Sequence, residues 1–165
     1  MFRRLLRSFR AEDERVRLEV VPKIAVPVGT EAVALGHDPR ELAAVPGQAM
    51  NRSGLCVMVV NAGLVPATLV EIGLESRFGP PRILMREPLF HDRMDWPRTL
   101  EPGDSAVAYF ASSLRRHASL GAMHRAYVTT QDNETFTGTS PALRYFVGEF
   151  QSEWRSPKRE EKFAE

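Results

Sequence analysis

Apolar and polar residues alternate with a period of two through much of this chain, in short runs separated by proline, glycine and asparagine. That rhythm predicts strands that turn one face to a core and the other to solvent. Residues 15–26 open the series, with Val16, Leu18 and Val20 on one side and Arg17 and Glu19 on the other. Pro22 and Pro27 then mark an edge position, a bulge or the end of the strand. Residues 55–60 are apolar almost throughout, as in a strand buried on both faces or lying mid-sandwich. Asn61-Ala62-Gly63 follows, with residues tolerant of positive φ, and Pro66 stiffens the return. The next run sets Thr68, Val70, Ile72 and Leu74 against Glu71, Gly73 and Glu75, so residues 55–76 read as a hairpin with an explicit core face.

Gly79-Pro80-Pro81 turns the chain, and residues 82–85 read as a short edge strand. Trp96, in an irregular stretch, reads as a lid over one end of the core. Leu100-Glu101-Pro102-Gly103-Asp104 is a turn, because proline presets φ and glycine accepts the left-handed region. Residues 105–111 place Val107 and Tyr109 opposite Ala106, Ala108 and Phe110, and residues 112–120 bridge the sheets as a short helix or turn. In residues 125–131, Ala126 and Val128 oppose Tyr127 and Thr129; Asp132-Asn133 turns, and Thr135-Phe136-Thr137 pairs back. The stretch 28–54 is weakly patterned, with one helical turn near 40–44 behind Asp38-Pro39. About seven strands with turn signals at these intervals predict a mainly β protein, a single antiparallel β-sandwich.

Both ends depart from the two-residue period. Phe2, Leu5, Leu6 and Phe9 share one helical face, with Arg3, Arg4, Arg7 and Arg10 on the other, which predicts a basic amphipathic helix over residues 1–12. So short a helix needs a surface to lie on: the sandwich, a partner protein or an anionic membrane. At the other end, Ser140-Pro141 fits an N-cap and first helical residue. Leu143, Phe146, Val147, Phe150 and Trp154 follow helical spacing, while Leu143, Tyr145 and Val147 also fit a strand. The chain therefore divides into a basic segment 1–12, a sandwich 15–140 and a helix or tail 141–165.

Composition narrows the function. A length of 165 residues suits one domain, and 43% hydrophobic with 26% charged residues is ordinary for a globular protein. A formal net charge of +1 argues against a dedicated nucleic-acid binder. Arg115, Arg116 and His117 could join the N-terminal arginines in a basic surface, but stacking aromatics for single strands are missing. Lone Cys56, in an apolar run, reads as a buried thiol. No apolar stretch approaches the ~18–20 residues that span a bilayer, and the N-terminus lacks a signal-peptide h-region, so the expected compartment is the cytoplasm.

Several stretches carry a resemblance: Val59-Val60-Asn61-Ala62-Gly63, Val65-Pro66, Glu71-Ile72-Gly73-Leu74, Pro97-Arg98-Thr99-Leu100-Glu101-Pro102-Gly103-Asp104-Ser105 and Tyr127-Val128-Thr129-Thr130-Gln131-Asp132. Over roughly residues 55–140 the chain resembles small bacterial and phage-type immunoglobulin-like β-sandwich proteins. The resemblance implies an immunoglobulin-like fold and, by analogy of fold, a joining or decoration subunit of a phage-like particle, in the virion where phage-derived. It implies no catalytic residues.

The residues themselves hold little chemistry. No Gly-x-Ser-x-Gly elbow and no phosphate-cradling glycine loop occurs, and Glu12, Asp13 and Glu14 read as a solvated link. His37-Asp38 and His91-Asp92 are not chelates, because neighbours on an extended chain point apart. A metal-dependent enzyme would need His37, His91 and a carboxylate such as Asp95 drawn together from separate loops. The expectation is a non-catalytic structural or interaction module without a cofactor. Its partner-binding residues would be Phe2, Arg3, Arg4, Leu5, Leu6, Arg7, Phe9, Arg10, Phe146, Phe150 and Trp154. A membrane-peripheral protein anchored by the basic N-terminus is the alternative, and nucleic acid is the partner least expected.

Overall fold

The computed structural model describes residues 15–28, 32–42, 44, 52–86, 88–92 and 94–155, with side chains as far as Gly148. The expected helix at 1–12, with Phe2, Arg3, Arg4, Leu5, Leu6, Arg7, Phe9 and Arg10, lies outside them. Among the described residues the strands are, in chain order, β1 (Leu18–Val28), β2 (Ala32–Gly36), β3 (Gly54–Asn61), β4 (Ala67–Ser76), β5 (Gly79–Leu84), β6 (Leu89–Phe90), β7 (Arg98–Leu100), β8 (Ser105–Tyr109), β9 (Met123–Thr130) and β10 (Thr135–Gly138). Helix α1 (Pro141–Arg155) follows them. The strands form two five-stranded antiparallel sheets, β2-β1-β3-β8-β6 and β10-β9-β4-β5, with β7 paired to the first residues of β4.

The two-residue period places the core as expected. Leu55, Val57 and Val59 of β3 meet Ile72 and Leu74 of β4, Ala106 and Ala108 of β8, and Ala126 and Val128 of β9. Each large side chain buried here contributes roughly 1.5–3 kcal/mol. Asn133 and Gly103 sit at positive φ in the turns expected of them. The expected helical turn is a 3-10 turn, Pro39–Leu42, closed by the Arg40 N–H donating to Asp38 Oδ1 at 2.8 Å. Short 3-10 turns at Ser112–Arg116 and Leu120–Ala122 carry the chain from the first sheet to the second.

Residues 55–76 are not a hairpin. β3 pairs with β1 and β8, whereas β4 pairs with β9, β5 and β7, so the connection at 62–66 crosses from one sheet to the other. Asn61 makes that corner through its side chain rather than through a positive φ. The buried Nδ2 donates to Val65 O at 2.8 Å and Leu100 O at 2.9 Å, while Oδ1 accepts from the Gly63 N–H at 3.0 Å. Gly63 is needed for close approach, since a Cβ there would lie 2.9 Å from Arg17 N. The alternation in β4 also breaks. A register shift between Leu69 and Glu71 turns Leu69 into the core and leaves Val70 exposed. Pro22 lies inside β1 at a point where β2 has not yet begun to pair, so β1 runs through it.

α1 settles the competing readings of the C-terminal segment in favour of helix. The Leu143 N–H donates to Ser140 Oγ at 3.1 Å, and Pro141 occupies the first turn. Ala142, Leu143, Phe146 and Val147 face inward, and the helix lies against β1, β9 and the Leu120–Ala122 turn. Its first turn completes a small second core with Ile24, Val26 and Leu42. The two flanks of the sandwich differ. On one, β10 leans on β1 so closely that a Cβ at Gly138 would overlap the Val20 carbonyl oxygen. On the other, β5 ends one sheet and β6 ends the other.

Candidate docking surface

β5 is fastened to the second sheet by a polar plate on its outer face. Gly73 has no side chain, and the Tyr127 ring lies in the space a Cβ would need. Tyr127 donates from its hydroxyl to Glu71 Oε1 at 2.5 Å, and the Arg82 guanidinium stands over its ring at 4.8 Å. Burial and then the Glu71 carboxylate push the Tyr127 phenol well above its usual range. Glu75, only 4% exposed, accepts Arg82 at 2.9 Å and Arg125 at 2.6 Å. Each of these groups is committed to another, so the plate holds structure.

Surface apolarity collects around β5 instead. Phe78, at the tip of the β4–β5 turn, is 87% exposed, with the Arg77 guanidinium 5.4 Å from its ring. Ser76 Oγ donates to Gly79 O, and Gly79 takes φ 97°, which tightens the turn beneath the ring. Beside the turn is a cavity of about 580 Å³, walled by Leu143 and Val147 of α1 and by Met123. A second cavity, of about 770 Å³, lies between β5 and the segment holding β6. Its lining includes Ile83, Met85, Phe110 and Leu114, and Leu84 (47% exposed) and Leu89 (69%) stand at its rim. Arg77, His124 and Arg144 line the first cavity and Arg82, Arg86 and His117 the second; among the described residues no carboxylate lines either.

Of the residues expected at a partner interface, Phe146 alone has a described side chain. Phe146 is 2% exposed, inside the core, with Arg115 over its ring at 4.6 Å. Arg115 also donates to Ser53 O and Oγ, so its guanidinium is used within the domain. The side chains of Phe150 and Trp154 lie outside the described residues. His37 follows β2 and His91 follows β6, at opposite edges of one sheet, roughly 19 Å apart at ~4.8 Å per strand. The His37 carbonyl accepts the Ala142 N–H, and His91 Nδ1 meets the Tyr109 hydroxyl at 2.9 Å. Among the described residues no three His, Cys, Asp or Glu side chains form a metal-sized group, and Asp95 is exposed. Asp92 instead pairs with Arg98, whose hydrogen bond holds its carboxyl below the usual range.

Cys56 is buried, its Sγ 3.4 Å from Lys23 O, and burial pushes the thiol up to about 12. Phe78, Leu84 and Leu89 escaped the sequence reading because an apolar residue in or beside a strand looks like core. The signal available was Phe78 next to Gly79-Pro80-Pro81, a large aromatic in a turn where no strand could bury it. Among the described residues no helix is long and apolar enough to cross a membrane. No family model, curated protein or solved structure matches this chain.

Proposed function

We propose that this chain is a non-catalytic protein-interaction module, an immunoglobulin-like sandwich that joins a larger assembly such as a phage or phage-like particle. It would act in the cytoplasm, or in the virion where phage-derived. The strand order supports the immunoglobulin-like reading: β1-β3-β8-β6 in one layer, β10-β9-β4-β5 in the other, and, with β7 set aside, crossings between layers at β3–β4, β5–β6 and β8–β9. Short β2 and β7 are additions at the edges of that plan.

The observation that carries docking is Phe78. An aromatic ring at 87% exposure, on a turn tied by Ser76 and Gly79, is what an anchor residue looks like before its partner arrives. It costs solubility and contributes nothing to the core. The adjoining cavity and the exposed Leu84 and Leu89 extend the apolar surface along β5.

Photo-crosslinking tests this directly. A benzophenone amino acid in place of Phe78, in the full chain in its native cells, should yield one dominant adduct of defined mass. With the captured partner purified, Phe78→Ala should weaken binding about 30-fold, the ~2 kcal/mol expected of a hot-spot aromatic, with the melting temperature unchanged. Adducts spread over abundant proteins in proportion to their amounts would overturn the reading.

A further inference from the structure

We infer that the open flank beside β5 receives an extended, acidic strand from a partner protein, added to the free edge of β5 with its apolar side chains in the groove. The inference rests on the docking reading and specifies the partner's chemistry.

The edge is available and its phase is known. The Met85 N–H donates to Ile72 O, and Ile83 lies opposite Leu74 two residues away. In an antiparallel ladder the bonding direction alternates, so Ile83 bonds toward β4 while the N–H and C=O of Arg82 and Leu84 face the open side. Natural edges are guarded by proline, charge or bulges. Pro80 and Pro81 guard the first half of β5, but the second half presents Leu84 above an apolar groove. An added strand would find two rungs of backbone donors and acceptors, with every second side chain pointing into about 770 Å³ of apolar space.

Charge selects the occupant. Among the described residues the groove is lined by Arg82, Arg86 and His117 and by no carboxylate. Arg82 is committed to Glu75 and Tyr127, whereas Arg86 is exposed and has no ion-pair partner among the described residues. The Ser119 N–H donates to His117 Nδ1, which puts the imidazole proton on Nε2, free to donate. Carboxylates flanking an apolar strand would meet both groups. A second copy of this chain fits poorly: two-fold pairing of β5 about Leu84 would set Arg82 opposite Arg86, and like charges directly opposite are unfavourable. A nucleic-acid backbone would have two uncommitted donors and a wall of leucine.

The test uses the full chain, isotope-labelled, and two capped peptides, Glu-Val-Thr-Val-Thr-Val-Glu and the same sequence with lysine in place of glutamate. The acidic peptide should shift the amides of Leu84 and Arg86 saturably, protect the Leu84 N–H from exchange, and bind at least tenfold more tightly than its lysine counterpart. Arg86→Glu with His117→Glu, both at exposed positions, should reverse that preference, and Leu84→Pro should abolish binding by removing the edge N–H. Equal binding of the two peptides, no binding of either, shifts confined to other residues, or displacement of the acidic peptide by oligothymidylate would each overturn the inference. If the crosslink at position 78 still forms when the peptides fail, only the strand-addition inference falls; if both fail, the docking reading falls with it.

Discussion

Asn61 and Cys56 are neighbours in β3 terms, one at its end and one near its start, and burial acts on them in opposite ways. Asn61 is fully buried yet satisfied, with its amide feeding two carbonyls and its oxygen taking one N–H. Asn61→Ala would leave Val65 O, Leu100 O and the Gly63 N–H without that partner, and buried polar groups left unmade cost about 1–3 kcal/mol each. A loss of about 3 kcal/mol or more is expected in urea denaturation. Asn61→Asp should do no better, since a carboxylate oxygen would then face two carbonyls; a loss under 1 kcal/mol for either variant would deny Asn61 its place as the corner. For Cys56 the neutral thiol is the form the fold favours, its ionisation raised to about 12 chiefly by desolvation. A raised thiol pKa stabilises the fold fully below the unfolded value of ~8.5, and that contribution fades as pH climbs from there toward the folded value. Stability relative to Cys56→Ala should therefore shrink by about 2 kcal/mol between pH 8 and 10, in paired denaturation curves. Alkylation of the native thiol at pH 8 at the rate of a free cysteine would show that the side chain is not buried as described.

At the scale of elements, periodicity told strands from helix better than it told connectivity. Leu143, Phe146 and Val147 share a helical face, but Leu143, Tyr145 and Val147 alternate as a strand would, so α1 was only half legible, with Ser140-Pro141 as the start signal that favours helix. β9 and β10 were legible from alternation bounded by a turn. The hairpin expected at 55–76 failed because a five-residue connection is compatible with pairing or with crossing; the choice depends on whether Asn61 finds carbonyls from elsewhere, and Leu100 is 39 residues away. Val70 was misplaced because a bulge shifts the period by one without leaving a compositional mark. β2 and β6 are too short to establish a period, and only their neighbours make them strands. The docking surface was the least legible feature, since Leu84 and Leu89 differ from core leucines only in what the other sheet leaves uncovered.

The whole molecule is asymmetric, zipped where β10 crosses β1 and open where β5 and β6 diverge, with α1 closing one end of the core. That asymmetry makes the helix part of the folding unit even though it follows the last strand. Leu143, Phe146 and Val147 are buried against strands from as far back in the chain as β1, and Ala142 completes the second core. Burial of three such side chains is worth roughly 1.5–3 kcal/mol each, an upper estimate because the unfolded chain already shelters part of that surface. A domain of this size holds about 5–15 kcal/mol in total. Truncation after Ser140 should consequently leave a chain with no cooperative melting transition and with bound hydrophobic dye, and Leu143→Ala alone should cost about 2–5 kcal/mol. Gly148 separates a packing role from mere helicity: a Cβ there meets nothing within 4 Å, so Gly148→Ala should stabilise by about 0.5–1 kcal/mol through helix propensity alone. A truncated chain that melts cooperatively near the full-length temperature would mean that the sandwich closes its own end and that α1 is an appendage.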